Sequence, residues 1–161
     1  MKEIKDMTVE EFLRDLASDA PAPGGGSASA VAGAMAAALV AFVCRKTIGK
    51  KKYAAVEATM RDILDQTEDL MARLLDLAEE DKAAFQQVIA EKYSAASLEK
   101  ASSVPAEIDK LAARVCGLAI TVLQYGNIKT QTDAQVASLL AKTATLGAKL
   151  NVEINKKDKG V

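Results

Sequence analysis

The sequence predicts an all-α protein, an elongated bundle of about five main helices, and three observations carry that reading. Apolar residues recur at alternating steps of three and four, as in Val56, Met60, Ile63, Thr67, Leu70, Leu74 and Leu77. Punctuation by Pro21 to Gly26, by Gly49 and by Gly126 separates such stretches. No segment sustains two-residue alternation with β-branched residues, so no sheet is expected. The 161 residues, half of them apolar and 27% charged, suit one domain over 1–161 with no internal repeat or linker.

Thr8, followed by acidic Glu10 and Glu11, is a helix N-cap and opens a short helix to about Ser18. Pro21-Ala22-Pro23-Gly24-Gly25-Gly26 stops it, and a second helix is expected from Ser27 to about Ile48. This helix is built from small residues, with Gly33, Ala37 and Ala41 four apart, a ridge suited to close backbone packing within or between subunits. Its run from Ala30 to Cys44 holds only apolar residues and glycine, yet is shorter than the roughly 20 residues of a membrane span, and reads as a buried helix. Gly49 ends it. A long amphipathic helix is then expected from near Tyr53 to about Tyr93. After Ser94 a short polar helix or turn should lead to Pro105, placed as the first residue of a helix ending near Gly126. The last helix is expected from Thr130 to Asp133 as far as about Asn155, its apolar face formed by Val136, Leu139, Leu140, Thr143, Leu146, Gly147, Leu150 and Ile154. Residues 156–161 read as a solvated tail.

A formal net charge of −1 provides no global field for nucleic acid or an anionic membrane, and neither partner is expected. The absence of histidine excludes His-based triads and imidazole ligands, leaving acid–base work to Asp, Glu, Lys, Tyr or Cys. Cys44 and Cys116 lie in apolar contexts behind no signal-type segment, so a cytoplasmic setting is expected.

Asp81 lies in register with the apolar seam, four residues after Leu77 and four before Phe85. A carboxylate there needs a partner or a cavity, and the alternatives are a structural ion pair or a helix rotated to expose it. Gly24, Gly25 and Gly26 before Ser27 offer free amides to an anion at a helix start, or serve as a flexible connector. They match neither a P-loop nor a dinucleotide fingerprint. Arg45, Lys46, Lys50, Lys51 and Lys52 compensate a helix end or dock a polyanionic tail. Thr130 and Asp133 fit a variant capping box, which leaves Asp133 open to a catalytic or binding role. Asn127 is most simply a turn residue, whereas Asn151 and Asn155, one turn apart, are placed to bond each other or a ligand.

Taken in order, these segments resemble the cyclodeaminase/cyclohydrolase family, which includes the cyclodeaminase domain of formiminotransferase-cyclodeaminase and serine-cycle-type methenyltetrahydrofolate cyclohydrolases. The resemblance rests on Phe12-Leu13, Pro21 to Ser27, Gly49 to Tyr53, Asp81 to Phe85, Val104-Pro105, Gly126-Asn127, Thr132 to Ala137 and Gly147 to Asn155. It implies an all-α homodimer binding a tetrahydrofolate derivative as substrate near the subunit interface, without metal.

By position, the resemblance makes Asp81 the catalytic carboxylate. Asp133 would be a second proton shuttle or an acceptor for the pterin's N–H groups. Gly24, Gly25, Gly26, Ser27, Lys51, Lys52, Asn127, Asn151 and Asn155 would bind substrate, with the glycines and lysines holding a glutamate or polyglutamate tail. The implied activity is cyclodeamination of 5-formiminotetrahydrofolate to 5,10-methenyltetrahydrofolate with release of ammonia. The alternative is hydrolysis of the methenyl compound to 10-formyltetrahydrofolate. A non-catalytic folate-binding or scaffold protein is the reading of a different class. Its support is that the family's usual further helix after Asn155 is absent; Lys142 also stands where relatives often carry an acid.

Overall fold

A computed structural model of the chain describes residues 2–157. Among these the regular structure is helical, with α1 (Val9–Leu16), α2 (Gly25–Thr47), α3 (Glu57–Ala90), α4 (Ala95–Tyr125) and α5 (Gln131–Lys157), and short 3₁₀ turns before α1, between α2 and α3, and between α4 and α5. Beyond Lys157 the expected tail lies outside the described residues. Helix α1 starts as the sequence requires: Thr8 Oγ1 accepts from the Glu11 amide, and the Glu11 carboxylate accepts from the Thr8 amide.

Helices α2 to α5 form an up-down-up-down bundle in which α2 packs against α3 and α5, α4 packs against α3 and α5, and α2 also touches α4 across the centre. Although α2 is apolar and long enough to cross a membrane, it is the core helix, with Ala30, Ala37, Val40, Val43 and Cys44 sealed from solvent. It begins two residues earlier than Ser27. Gly25 and Gly26 are its first helical residues and Gly24 its N-cap. Gly49, at φ +77°, closes the other end in the left-handed conformation that glycine adopts without strain.

Along α3, Met60, Ile63, Thr67, Leu70, Leu74, Leu77 and Val88 are buried as the stripe predicts. The helix proper is shorter than expected. A 3₁₀ segment over Lys51–Val56 precedes it, and after Ala90 the chain turns through Lys92 and Tyr93 at positive φ. Lys82, one residue past the stripe, is also buried, with its ammonium on Glu79 at 3.1 Å.

Two expectations are corrected. The segment after Ser94 is not a separate turn, and Pro105 does not start a helix: α4 runs unbroken from Ala95 through Pro105 to Tyr125. A proline inside a helix removes the bond to the carbonyl four residues back, here that of Ala101, and Asn155 Nδ2 donates to that oxygen at 2.6 Å. The substitute donor comes from another helix, so α4's own sequence could not reveal it.

The face of α5 is the second correction. Its buried stripe is Ala134, Ala137, Ala141, Ala144 and Ala148, while Val136, Leu139, Leu146, Leu150 and Ile154 are 45–66% exposed. The reason lies in α2, whose own face is alanine and glycine, so that two small-residue faces come into close contact. A Cβ on Gly33 would lie 3.6 Å from Ala144 Cβ, and one on Gly147 would overlap Ser29 Oγ. Leucine in that seam would force the backbones apart.

Candidate active site

The small-residue seam between α2 and α5 ends in a cavity of about 270 Å³. Its wall comes from the start of α2 (Gly24, Gly25, Gly26), late α3 (Asp81, Phe85), early α4 (Ala101), late α5 (Asn151, Ile154, Asn155), and Pro21 and Ala22. Asn151 and Asn155 reach it because they continue the alanine stripe at the same alternating steps of three and four.

Asp81 projects from α3 onto the N-terminus of α2. The N-cap Gly24 has no side chain, and the Asp81 carboxylate serves that helix end from outside it. Asp81 Oδ2 lies 3.0 Å from Ser27 Oγ, in the first turn of α2. Burial pushes the Asp81 carboxyl above its ordinary value, and the hydroxyl and amide of Ser27 partly oppose that rise. Ser27 Oγ also lies 3.0 Å from the Ala78 carbonyl. A single hydroxyl proton thus faces two acceptors: Ser27 donates to Asp81 when the carboxylate is ionised, and donates to Ala78 while accepting from Asp81 when it is protonated. Both protonation states are accommodated without moving the backbone, as a proton-transferring group requires.

The glycines are unequal. A Cβ on Gly26 would overlap the Asp81 carboxylate, one on Gly25 would sit 3.2 Å from Asn151 Nδ2, and one on Gly24 would meet nothing within 4 Å. Gly26 is therefore there to admit the carboxylate. Asn151 and Asn155 do not bond each other. Asn151 Nδ2 donates to Gly147 O at 2.8 Å, and Asn155 Nδ2 to Ala101 O.

The remaining candidates lie at the opposite end of the bundle, because α2 alone, at 23 residues, is about 34 Å long. Asn127 is buried there, with hydrogen bonds at both ends of its side-chain amide. Its Nδ2 donates to Lys46 O at 2.8 Å, and its Oδ1 accepts from the Lys129 amide at 3.1 Å and from Tyr53 Oη at 3.5 Å. It fastens the end of α2 to the α4–α5 connection. Thr130 gives its hydroxyl to Asn127 O at 2.9 Å, and Asp133 stands partly exposed on the first turn of α5. Lys51 and Lys52 are exposed, the latter with its ammonium 5.5 Å from the Tyr53 ring, and Arg45 pairs with Glu68. Within one chain, then, Gly24, Gly25, Gly26, Ser27, Asp81, Asn151 and Asn155 come together, and Lys51, Lys52, Asn127 and Asp133 do not join them.

Residues 8–159 match the family described as formiminotransferase-cyclodeaminase. The chain belongs to the formiminotransferase-cyclodeaminase family. The methenyltetrahydrofolate cyclohydrolase of Methylorubrum extorquens is 41% identical over 93% of this chain and 79% of its own length. The formimidoyltransferase-cyclodeaminase of Dictyostelium discoideum is 33% identical over 94% of this chain, which spans 30% of that longer protein. The crystal structure of formiminotetrahydrofolate cyclodeaminase from Thermotoga maritima superposes with a TM-score of 0.92 at 33% identity, over 97% of this chain and 81% of that one.

Sequence reasoning missed Phe85 and Ile154 as cavity wall, and it missed the Ala101 carbonyl. A signal for part of this was present: the alanine spacing of α5 runs straight into Asn151 and Asn155, which points the pair inward.

Proposed function

We propose that this chain is a folate-dependent one-carbon enzyme whose chemistry centres on Asp81, and that its reaction is hydrolysis of 5,10-methenyltetrahydrofolate. The supporting observation is the Asp81 carboxyl, raised by burial in a cavity and held by Ser27 in a way that accepts either protonation state. Cyclodeamination stood first on sequence. The higher identity to a cyclohydrolase, over most of that enzyme's length, moves hydrolysis ahead.

In the proposed cycle, Asp81 takes a proton from water as its oxygen bonds to the cationic bridge carbon. It then returns that proton to N5 as the carbon–N5 bond breaks, and the adduct's hydroxyl proton leaves to solvent as the formyl group forms. The second reading, favoured by the fold match to a cyclodeaminase, uses the same carboxyl. There N10 attacks the formimino carbon and Asp81 delivers a proton to the departing ammonia. Loss of the methenyl chromophore on mixing, against ammonia release from the formimino compound, decides between them. Turnover of neither refutes the enzyme reading.

We further propose a homodimer built on the exposed apolar face of α5, with Ile120 of α4 beside it. That face is too apolar to be left to water. An antiparallel pairing along α5 sets one copy's Asn155 end beside the other's Asp133 end, so that Lys51, Lys52 and Asp133 of the second copy complete the site and receive the glutamate tail, while Asn127 holds the connection beneath them. Mixing inactive Asp81→Asn with inactive Asp133→Asn then restores about a quarter of the activity, because half of the dimers carry one intact site. No restoration upon subunit exchange rejects the shared site.

A further inference from the structure

Asn155 carries more information than its place on the cavity wall. The residue is 9% exposed, so each polar atom needs a partner or an open path. The amide has one donor end and one acceptor end, and Ala101 O can only accept, so Nδ2 must face α4. That carbonyl is free because the residue four positions on, Pro105, has no N–H. Asn155 Oδ1 receives no hydrogen bond from the described residues. Yet the one sealed side-chain polar atom without a partner among those residues is Thr145 Oγ1, so Asn155 Oδ1 opens to a space, and the space that Asn155 lines is the cavity beside Asp81.

We infer that Pro105 sets the polarity of Asn155: by freeing the Ala101 carbonyl it captures the amide nitrogen, and so holds Asn155 Oδ1 toward the cavity as an acceptor for an N–H group of the ligand. Asn151 is arranged alike, with one N–H of its amide donated to Gly147 O. The part of the wall formed by Asp81 and Asn155 thus presents acceptors, and suits a ligand edge that carries donors. Under the proposed folate activity, on which the ligand's identity rests, that edge is the amino and ring N–H side of the pterin. Pro105 touches no ligand and is a positioning residue; Asn155 is a binding residue.

A four-protein comparison tests this: the full chain, Asn155→Ala, Pro105→Ala, and the double variant, each measured for thermal unfolding and for KM and kcat on methenyltetrahydrofolate. Asn155→Ala leaves the Ala101 carbonyl unpaired, so it unfolds at lower temperature and its KM rises about tenfold. Pro105→Ala restores an N–H that can bond Ala101 O within the helix, releases the Asn155 amide to either orientation, and raises KM by about threefold. In the double variant the unfolding temperature returns to that of Pro105→Ala while KM stays about tenfold high.

Recovery of normal KM in the double variant would show that Asn155 serves only the helix. An equal thermal loss from Asn155→Ala in both backgrounds would show that Pro105 and Asn155 are not coupled. If the unsubstituted chain neither binds nor turns over tetrahydrofolate compounds, the folate reading falls. The thermal cycle still reports whether Pro105 orients Asn155.

Discussion

Replacing Gly26 by alanine sets two large effects against each other. Gly26 is inside α2, where alanine is ordinarily favoured by about 1 kcal/mol. The added Cβ, however, falls on the Asp81 carboxylate, which must retreat by about 1 Å to regain ordinary contact. That retreat stretches the 3.0 Å bond from Ser27, and a reacting group displaced on this scale loses about 10²-fold in rate. Gly26→Ala is therefore expected to keep its fold and its unfolding temperature to within a few degrees, while kcat falls about 10²-fold. The companion substitutions calibrate it. Gly25→Ala meets only the Asn151 amide at 3.2 Å, which can yield, and loses less than tenfold; Gly24→Ala meets no protein atom and leaves Asp81 in place, so it affects KM rather than kcat. Steady-state kinetics on the methenyl substrate, with circular dichroism melts on the same samples, provide both readouts. Wild-type kcat in a folded Gly26→Ala protein refutes the placement of Asp81 as the reacting carboxyl, as does an equal loss at all three glycines.

Asp81→Asn should abolish most turnover, by about 10² to 10⁴-fold, yet melt no lower than the parent at neutral pH. Because burial raises the Asp81 carboxyl above its unfolded value, its ionised form costs stability. The cost is absent below the ordinary carboxyl range and grows as pH rises through the folded value, so the variant's thermal advantage must shrink in acid. Ser27→Ala removes a bond that favours the ionised carboxylate, so the acid limb of the pH–rate profile moves to higher pH; an unmoved limb detaches Ser27 from proton transfer. Thiol labelling of the folded protein should modify partly exposed Cys116 and spare Cys44, which is sealed in the core with its thiol pushed up to about 11. Leu146→Glu, on the 63% exposed outer face of α5, should convert a dimer to monomer in sedimentation; a monomeric parent chain contradicts the proposed pairing.

Much of this architecture was legible in the sequence, and the exceptions share a cause. The Thr8–Glu11 cap, the Gly49 stop and the α3 stripe are local signals, decided within a turn or two of helix, and Asp81 was visible because it broke an otherwise apolar pattern. Pro105 was misplaced because the donor that makes it tolerable, Asn155, is distant in sequence. The α5 face was inverted because hydrophobicity ranks leucine above alanine, whereas close helix contact ranks size first. The glycine run looked like one anion-binding loop. Only the approach of α3 shows that Gly26 answers to a carboxylate of the same chain and that Gly24 answers to nothing nearby. The separation of Asn127, Asp133 and the lysines from Asp81 follows from antiparallel helices, which place residues close in sequence order at opposite poles.

The alanine seam has a consequence for how this protein can vary. A core filled with leucines absorbs a substitution by rotating neighbouring side chains, but at buried Ala144 and Ala148 there is little side chain to rotate, and added volume is passed to the backbones. The seam therefore works as a spacer of fixed thickness, and its tolerance is read out a few turns away. Asn151 is seven residues from Ala144, about 10 Å along α5, and rides on the same rigid rod. Selection for substrate geometry in this chain thus reaches well outside the cavity, into residues that have no functional group at all.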